Sequence, residues 1–236
     1  FNESSGNTVH DDKGLLTGTV NNPGWLLEES LKWKTIGDIT ITGNSGTAWN
    51  PVRQEIYALN NEEIIILNII NNEVRRRTYD KQCPVRLNLG SNYVSQDGNN
   101  LYVYEVFNLW NEPQTFMTAK LDLNTFQWTP LGKEELPMPL FHHCSFINPI
   151  NNQLMLFGGF GNALYNGSYY TLDEDGNWDN IWENYNGDKV YPRYFASAGV
   201  DYKNGDIYIY GGMGNESGEQ IVGRHYYYDL HRINPE

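Results

Sequence analysis

The 236-residue sequence predicts an all-β fold: a β-propeller of four-stranded antiparallel blades. Three observations predict it. Leu101-Tyr102-Val103-Tyr104 recurs as Leu154-Met155-Leu156-Phe157 and again as Ile207-Tyr208-Ile209-Tyr210, a period of 53 residues. The last two copies run on identically into a glycine pair, Gly158-Gly159 and Gly211-Gly212. Aromatic residues, 17 of them Tyr and 7 Trp, weight the composition toward strand formers. A strand-rich repeat of about 50 residues marks blades stacked about an axis, because a lone blade leaves both faces in water.

The elements follow in chain order. Residues 1–32 read as an N-terminal arm, and Leu31-Lys32-Trp33-Lys34-Thr35-Ile36 as a Trp-bearing strand without a neighbour in sequence. Residues 33–236 form the repeat array, with blades at about 34–83, 84–138, 139–190 and 191–236. Each blade opens on a small-residue strand, Cys144-Ser145-Phe146-Ile147 or Ser197-Ala198-Gly199-Val200. A polar turn such as Asn148-Pro149-Ile150-Asn151-Asn152 leads to the aromatic-aliphatic second strand. Ile56-Tyr57-Ala58-Leu59 is the weaker first copy of that strand. A variable loop follows, 160–167 or 213–224, and then the third strand. Tyr169-Tyr170-Thr171-Leu172-Asp173 is matched there by Ala119-Lys120-Leu121-Asp122-Leu123 and by Tyr226-Tyr227-Tyr228-Asp229-Leu230. The fourth strand carries a Trp, at Trp128 in one blade and at Trp178 or Trp182 in the next. The connections are too short for helical crossovers, so the sheets are antiparallel. The last blade lacks its Trp strand, and an incomplete ring of about four blades, a piece of a longer protein, is expected.

Composition narrows the function classes. Lys plus Arg is 16 against 29 Asp plus Glu, a net charge of −13, which argues against nucleic-acid binding. Arg75-Arg76-Arg77 is short and reads as the solvated face of an edge strand. The two cysteines, Cys83 and Cys144, fit neither a disulfide framework nor a zinc spacing. Cys144 reads as a small buried hydrophobe, and whether the two form a bridge stays open. No apolar run approaches the length of a membrane span, so no membrane insertion is expected.

The residues around the glycine pairs carry a family resemblance. Pro192-Arg193-Tyr194-Phe195-Ala196-Ser197-Ala198 resembles the kelch lead-in Pro-Arg-x-x-His-Ser-Ala, with Ala196 in place of His. Pro139-Leu140-Phe141-His142-His143-Cys144-Ser145 keeps the histidine at His143 but has Leu140 for Arg. With Gly158-Gly159, Gly211-Gly212, Trp128 and Trp182, the chain resembles kelch-repeat propellers of the galactose-oxidase-like superfamily. The blades at 34–83 and 84–138 lack the glycine pair. The N-terminal stretch, with Phe1, Glu3, Gly6-Asn7, Asp11 and Gly18-Thr19-Val20, resembles the edge of a laminin-G or concanavalin-like domain. The kelch resemblance implies rings of six or seven blades, often closed by a strand from one terminus, here one carrying Trp33.

Candidate chemistry is sparse. His142 and His143 are adjacent, but neighbours on a strand point to opposite faces, so one metal cannot take both unless the chain turns there. His143 holds the family's structural histidine position. Arg193 and Tyr194 lead into the last blade, where Arg193 serves packing or offers a guanidinium fork to a carboxylate or sugar hydroxyl. Asp173-Glu174-Asp175-Gly176 reads as a hairpin turn rather than a calcium loop. Asn166-Gly167-Ser168 and Asn215-Glu216-Ser217 match the glycosylation pattern by sequence only. No serine elbow, P-loop or dinucleotide fingerprint is present.

Three functions remain in play. The leading expectation is a non-catalytic, extracytoplasmic recognition module without a cofactor, binding a glycan, peptide or protein domain through loops that include His142, His143, Arg193 and Tyr194. The resemblance also implies a sugar-directed enzyme, a copper oxidase or sugar-acid epimerase, although no matching copper motif is present. A sensor domain of a signalling receptor is the third.

Overall fold

Asn and Asp punctuate the chain, and each closes a hairpin by accepting backbone N–H groups two or more residues on. Asn50 accepts from Val52 and Arg53, Asp122 from Asn124 and Thr125, Asn148 from Ile150, Asp173 from Asp175 and Asn177, and Asp201 from Lys203. The segments between these turns are rich in aliphatic and aromatic residues, the inner ones apolar almost throughout (Glu63–Asn68, Leu154–Phe157), and they pair as antiparallel strands.

The computed structural model describes residues 8–10, 17–19, 39–88, 90–109, 116–181 and 187–234. The chain forms two compact units, Phe1–Asp38 and Ile39–Glu236. In the first, Thr8–His10 pairs antiparallel with Thr17–Thr19. The segment around Trp33, and Trp182, lie outside the described residues.

The second unit is all-β and contains four successive sheets. The first is Gly46–Asn50, Glu55–Leu59, Glu63–Asn68 and Val74–Thr78. The second is Asn92–Val94, Asn100–Tyr104, Thr118–Asp122 and Trp128–Pro130. The third is Cys144–Ile147, Leu154–Phe157, Tyr169–Leu172 and Trp178–Asn180. The fourth has three strands, Ser197–Asp201, Asp206–Tyr210 and Leu230–Ile233. Every pairing is antiparallel and in chain order.

Register repeats with the sequence. Leu101 faces Leu121, Leu154 faces Leu172 and Ile207 faces Ile233; Trp128 then faces Leu121 and Trp178 faces Leu172. Because side chains alternate, each second strand offers one set of residues to the sheet before it and the other set to the sheet after. Tyr57 and Leu59 pack with Leu101 and Val103. Tyr104 packs with Leu154 and Leu156, and Met155 and Phe157 pack with Ile207 and Ile209. The core is therefore a series of sheet-to-sheet seams. Trp178 lies in one seam edge-on to Tyr104, and Trp128 packs edge-on to Tyr79.

The Arg-rich strand is the outer edge of the first sheet, where Arg75 and Arg76 pair with Glu55 and Glu63. One expected strand moves. The third strand of the last sheet is Leu230–Ile233, not 226–230. Matching by tyrosine content misplaces it; the seam needs Ile233 opposite Ile207, and that puts the tyrosines into the preceding loop. There His225–Tyr226 joins Arg193–Tyr194 and Met213–Gly214 in a small separate sheet.

Candidate functional site

The site is built where two lead-in segments and two loops meet at the glycine-pair ends of the third and fourth sheets. Gly158, Gly159, Gly211 and Gly212 all have positive φ, at 75°, 103°, 67° and 93°. A side chain is also barred: a Cβ on Gly158 would stand 2.5 Å from the Arg193 carbonyl oxygen, and one on Gly212 2.8 Å from that of Tyr194. The first two sheets carry Asn60-Asn61 and Glu105-Val106 at these places, none with positive φ.

Arg193 ties the pieces together. Its N–H donates to the Asn166 carbonyl at 3.0 Å, and its carbonyl accepts from Gly159 at 2.8 Å. Its side chain is fully buried. The guanidinium donates from Nη1 to Asp229 Oδ1 at 2.5 Å and to the Gly211 carbonyl at 3.0 Å, from Nη2 to Asp229 Oδ2 at 3.0 Å, and from Nε to the Tyr191 carbonyl at 3.0 Å. It also lies 4.1 Å from the centre of the Tyr227 ring. These bonds to the Arg193 fork, helped by His231, hold the Asp229 carboxyl down at about 2. The candidate guanidinium fork is thus engaged inside the fold.

His143 is similarly occupied. Its Nδ1 contacts the Leu140 carbonyl at 2.6 Å and its Nε2 the Tyr104 hydroxyl at 3.0 Å, so a neutral ring donates to one and accepts from the other. Burial pushes its pKa below the ordinary value. It joins the second sheet to the lead-in of the third.

His142 and Tyr194 face the other way. His142 (φ 55°) and Phe195 (φ 57°) hold equivalent places in the two lead-ins, and both are non-glycine residues in the left-handed region. Such conformations cost about 1–3 kcal/mol and cluster at functional sites. The Phe195 N–H donates to the His142 carbonyl at 3.0 Å, and the two rings stack with centroids 4.0 Å apart. Phe195 is 52% exposed, and His142 is exposed beside it. Tyr194 lies 4.9 Å from Phe195 and stacks nearly parallel on Tyr165 at 5.5 Å, with Phe160 5.6 Å from both. Arg224 donates to the Tyr194 hydroxyl at 3.2 Å. The result is an aromatic ledge with His142 and Phe195 at the surface, Phe160 and Tyr194 half-buried, Tyr165 buried beneath them and a cation at the rim.

The four expected site residues therefore divide, with His142 and Tyr194 on the ledge and His143 and Arg193 beneath it. Phe195, Phe160, Tyr165 and Arg224 belong to the ledge without having been singled out in sequence. Aligning Phe195 on His142 through the repeat is the signal that could have found Phe195.

Other sequence candidates resolve to structure. Asn166 and Asn215 are buried, and their side-chain amides bond inward to Gly158 and to Glu219 and Gly223, which removes them from glycosylation. Cys83 and Cys144 are free and buried, and burial pushes each thiol up to about 12. Gly176 (φ 84°) closes the hairpin at Asp173. Among the described residues no three His, Cys, Asp or Glu side chains are grouped to hold a metal ion, and no helix is long and apolar enough to cross a membrane.

No family profile matches the chain. No curated protein matches it. Solved structures do: one titled "Structure of YjhT" is similar over 80% of this chain and 68% of its own, with a TM-score of 0.53 and 15% identity. At that identity the likeness is one of fold, and a fold does not name a ligand.

Proposed function

We propose that this chain is a kelch-type β-propeller segment of an extracytoplasmic recognition protein, and that it binds a glycan on the aromatic ledge. The kelch reading rests on the lead-ins at 139–145 and 192–198, the two glycine pairs and the likeness to the YjhT structure. The binding reading rests on one observation above all: His142 and Phe195 are held in left-handed backbone, stacked, with Phe195 half exposed. Gln54, Asn72, Phe126 and Asn152 take the same backbone in hairpin turns; what sets this pair apart is that both lead-ins hold it and the two rings stack at the surface. Flat rings with a few polar groups at the edge suit the apolar face of a pyranose, with the Tyr194 hydroxyl and Arg224 available to its hydroxyls. Peptide or protein ligands are the other partners such a surface takes.

The test is a glycan array followed by calorimetry on the best ligand with the chain and with Phe195→Ala. Binding that falls about tenfold or more in the variant supports the reading. Absence of any glycan ligand, or equal affinity in the variant, overturns it. A peroxide-release assay on sugars checks the copper-oxidase version of the enzyme alternative.

A further inference from the structure

The lead-in of the third sheet is fastened by one histidine whose proton has a fixed place. His143 Nδ1 lies 2.6 Å from the Leu140 carbonyl oxygen, which can only accept, so that nitrogen carries the hydrogen. Nε2, 3.0 Å from the Tyr104 hydroxyl, is therefore the acceptor. Tyr104 is completely buried, and Ser145 and the Ser91 backbone reach the same hydroxyl. A second proton on the ring turns Nε2 from acceptor into donor, against a hydroxyl whose own hydrogen points there.

The surroundings do not welcome that proton. His142, next along the chain, opposes a further positive charge. From the second sheet come Tyr104 and, beside it, Glu105, whose carboxylate is turned to the Asn88 N–H. Cys144 follows on the same element with its thiol toward the Phe157 carbonyl. In the next lead-in the Arg193 guanidinium is turned to Asp229.

What His143 holds is the ledge. Two residues before it, Phe141 pairs with Phe160, each N–H donating to the other's carbonyl at 2.9 Å. One residue before it, the His142 carbonyl takes the Phe195 N–H. His143 also packs on Gly159, where an added Cβ would stand 3.2 Å from its own, and the Gly159 N–H donates to the Arg193 carbonyl. Displacing His143 thus disturbs both lead-ins at once.

We propose that His143 is a positioning residue of the ledge and an acid-sensitive latch: one proton on Nε2 breaks the Tyr104 contact, frees the lead-in at 139–143 and takes His142 and Phe195 out of register. The inference rests on the ledge reading for what is released, while the release itself is visible without any ligand. Closed, the ring is held below its ordinary 6.5; open, it titrates at that value. The latch is therefore complete above 6.5 and weakens as pH falls below it, by up to about tenfold per pH unit for one proton.

Amide hydrogen exchange of the full chain from about pH 7.5 to about pH 5, corrected for intrinsic rates, tests it. Protection at Phe141, Phe160 and Phe195 should fall along that slope, while Tyr79, whose N–H donates to Glu62 in the first sheet, keeps its own. His143→Gln should remove the slope, and His142→Asn, a residue that tolerates the left-handed backbone there, should leave it. Tyr104→Phe deletes only the hydroxyl and should make the slope shallower, which keeps the proposal testable if His143→Gln does not fold. A parent without the slope, a slope unchanged in His143→Gln or in Tyr104→Phe, or an equal loss at Tyr79 overturns the proposal. A chain that binds no glycan leaves the exchange result standing, so the two readings fail separately.

Discussion

Replacing Arg193 by leucine tests how the site is held. The third sheet already contains the comparison, because Leu140 takes the place of Arg193 there, fully buried, and Ser168 takes the place of Asp229. In the fourth sheet Arg193→Leu leaves the Gly211 carbonyl without the Arg193 donor and the Asp229 carboxylate with its His231 contact in place of the guanidinium fork. Removing one partner of a buried ion pair costs about 3–5 kcal/mol. Asp229 is 36% exposed, so water recovers part of that, and about 2–3 kcal/mol is the expected loss. For a unit of this size it lowers the melting temperature by roughly 5–10 °C. Arg193→Leu with Asp229→Ser copies the neighbouring sheet and should recover most of the loss, a coupling that a double-mutant cycle reads directly. Acid sensitivity should change as well. Asp229 is held at about 2 in the fold, below its ordinary 3.8, so its contribution is present above that ordinary value and is lost as pH falls toward 2. Arg193→Leu should remove most of that part of the acid limb and leave the share that His231 supplies. Urea titrations at several pH values measure all of this. A single variant as stable as the parent, or a double variant showing the simple sum of two losses, refutes the clamp.

Two further outcomes follow from the same geometry. At Phe195 (φ 57°) glycine relieves a left-handed conformation that costs an L-residue about 1–2 kcal/mol, so Phe195→Gly should melt no lower than Phe195→Ala, while both lose the ledge ligand in calorimetry. At His143, burial holds the ring below its ordinary 6.5, so the unfolded chain takes up the proton first. Its contribution is complete above that value and drains as pH falls below it, and His143→Gln should flatten stability between about pH 7 and pH 5 in thermal scans.

The seams were legible because their signal is short-range and periodic. Alternation in 101–104, 154–157 and 207–210 states which residues face which neighbour, and the sheets obey it. The glycine pairs were legible because positive φ and close backbone approach demand that residue type. The last third strand was misread because three consecutive tyrosines imitate a strand, whereas the pairing of Ile207 with Ile233 is a long-range condition. The ledge was half legible for a related reason. Lead-in residues such as Tyr194 can be found by motif, but their partners Tyr165 and Arg224 come from loops that share no pattern with them. Nor does any motif tell a buried arginine from an available one; for Arg193 that difference lies in Asp229, far along the chain.

The main-chain groups of Arg193 close the loop of the preceding sheet before its side chain serves its own. During synthesis the third sheet would therefore wait, its Gly159 amide and Asn166 carbonyl still hydrated, until the next lead-in left the ribosome. The third sheet is latched by its successor, and a protease cutting between residues 181 and 193 would loosen the part already made as well as the part still to come.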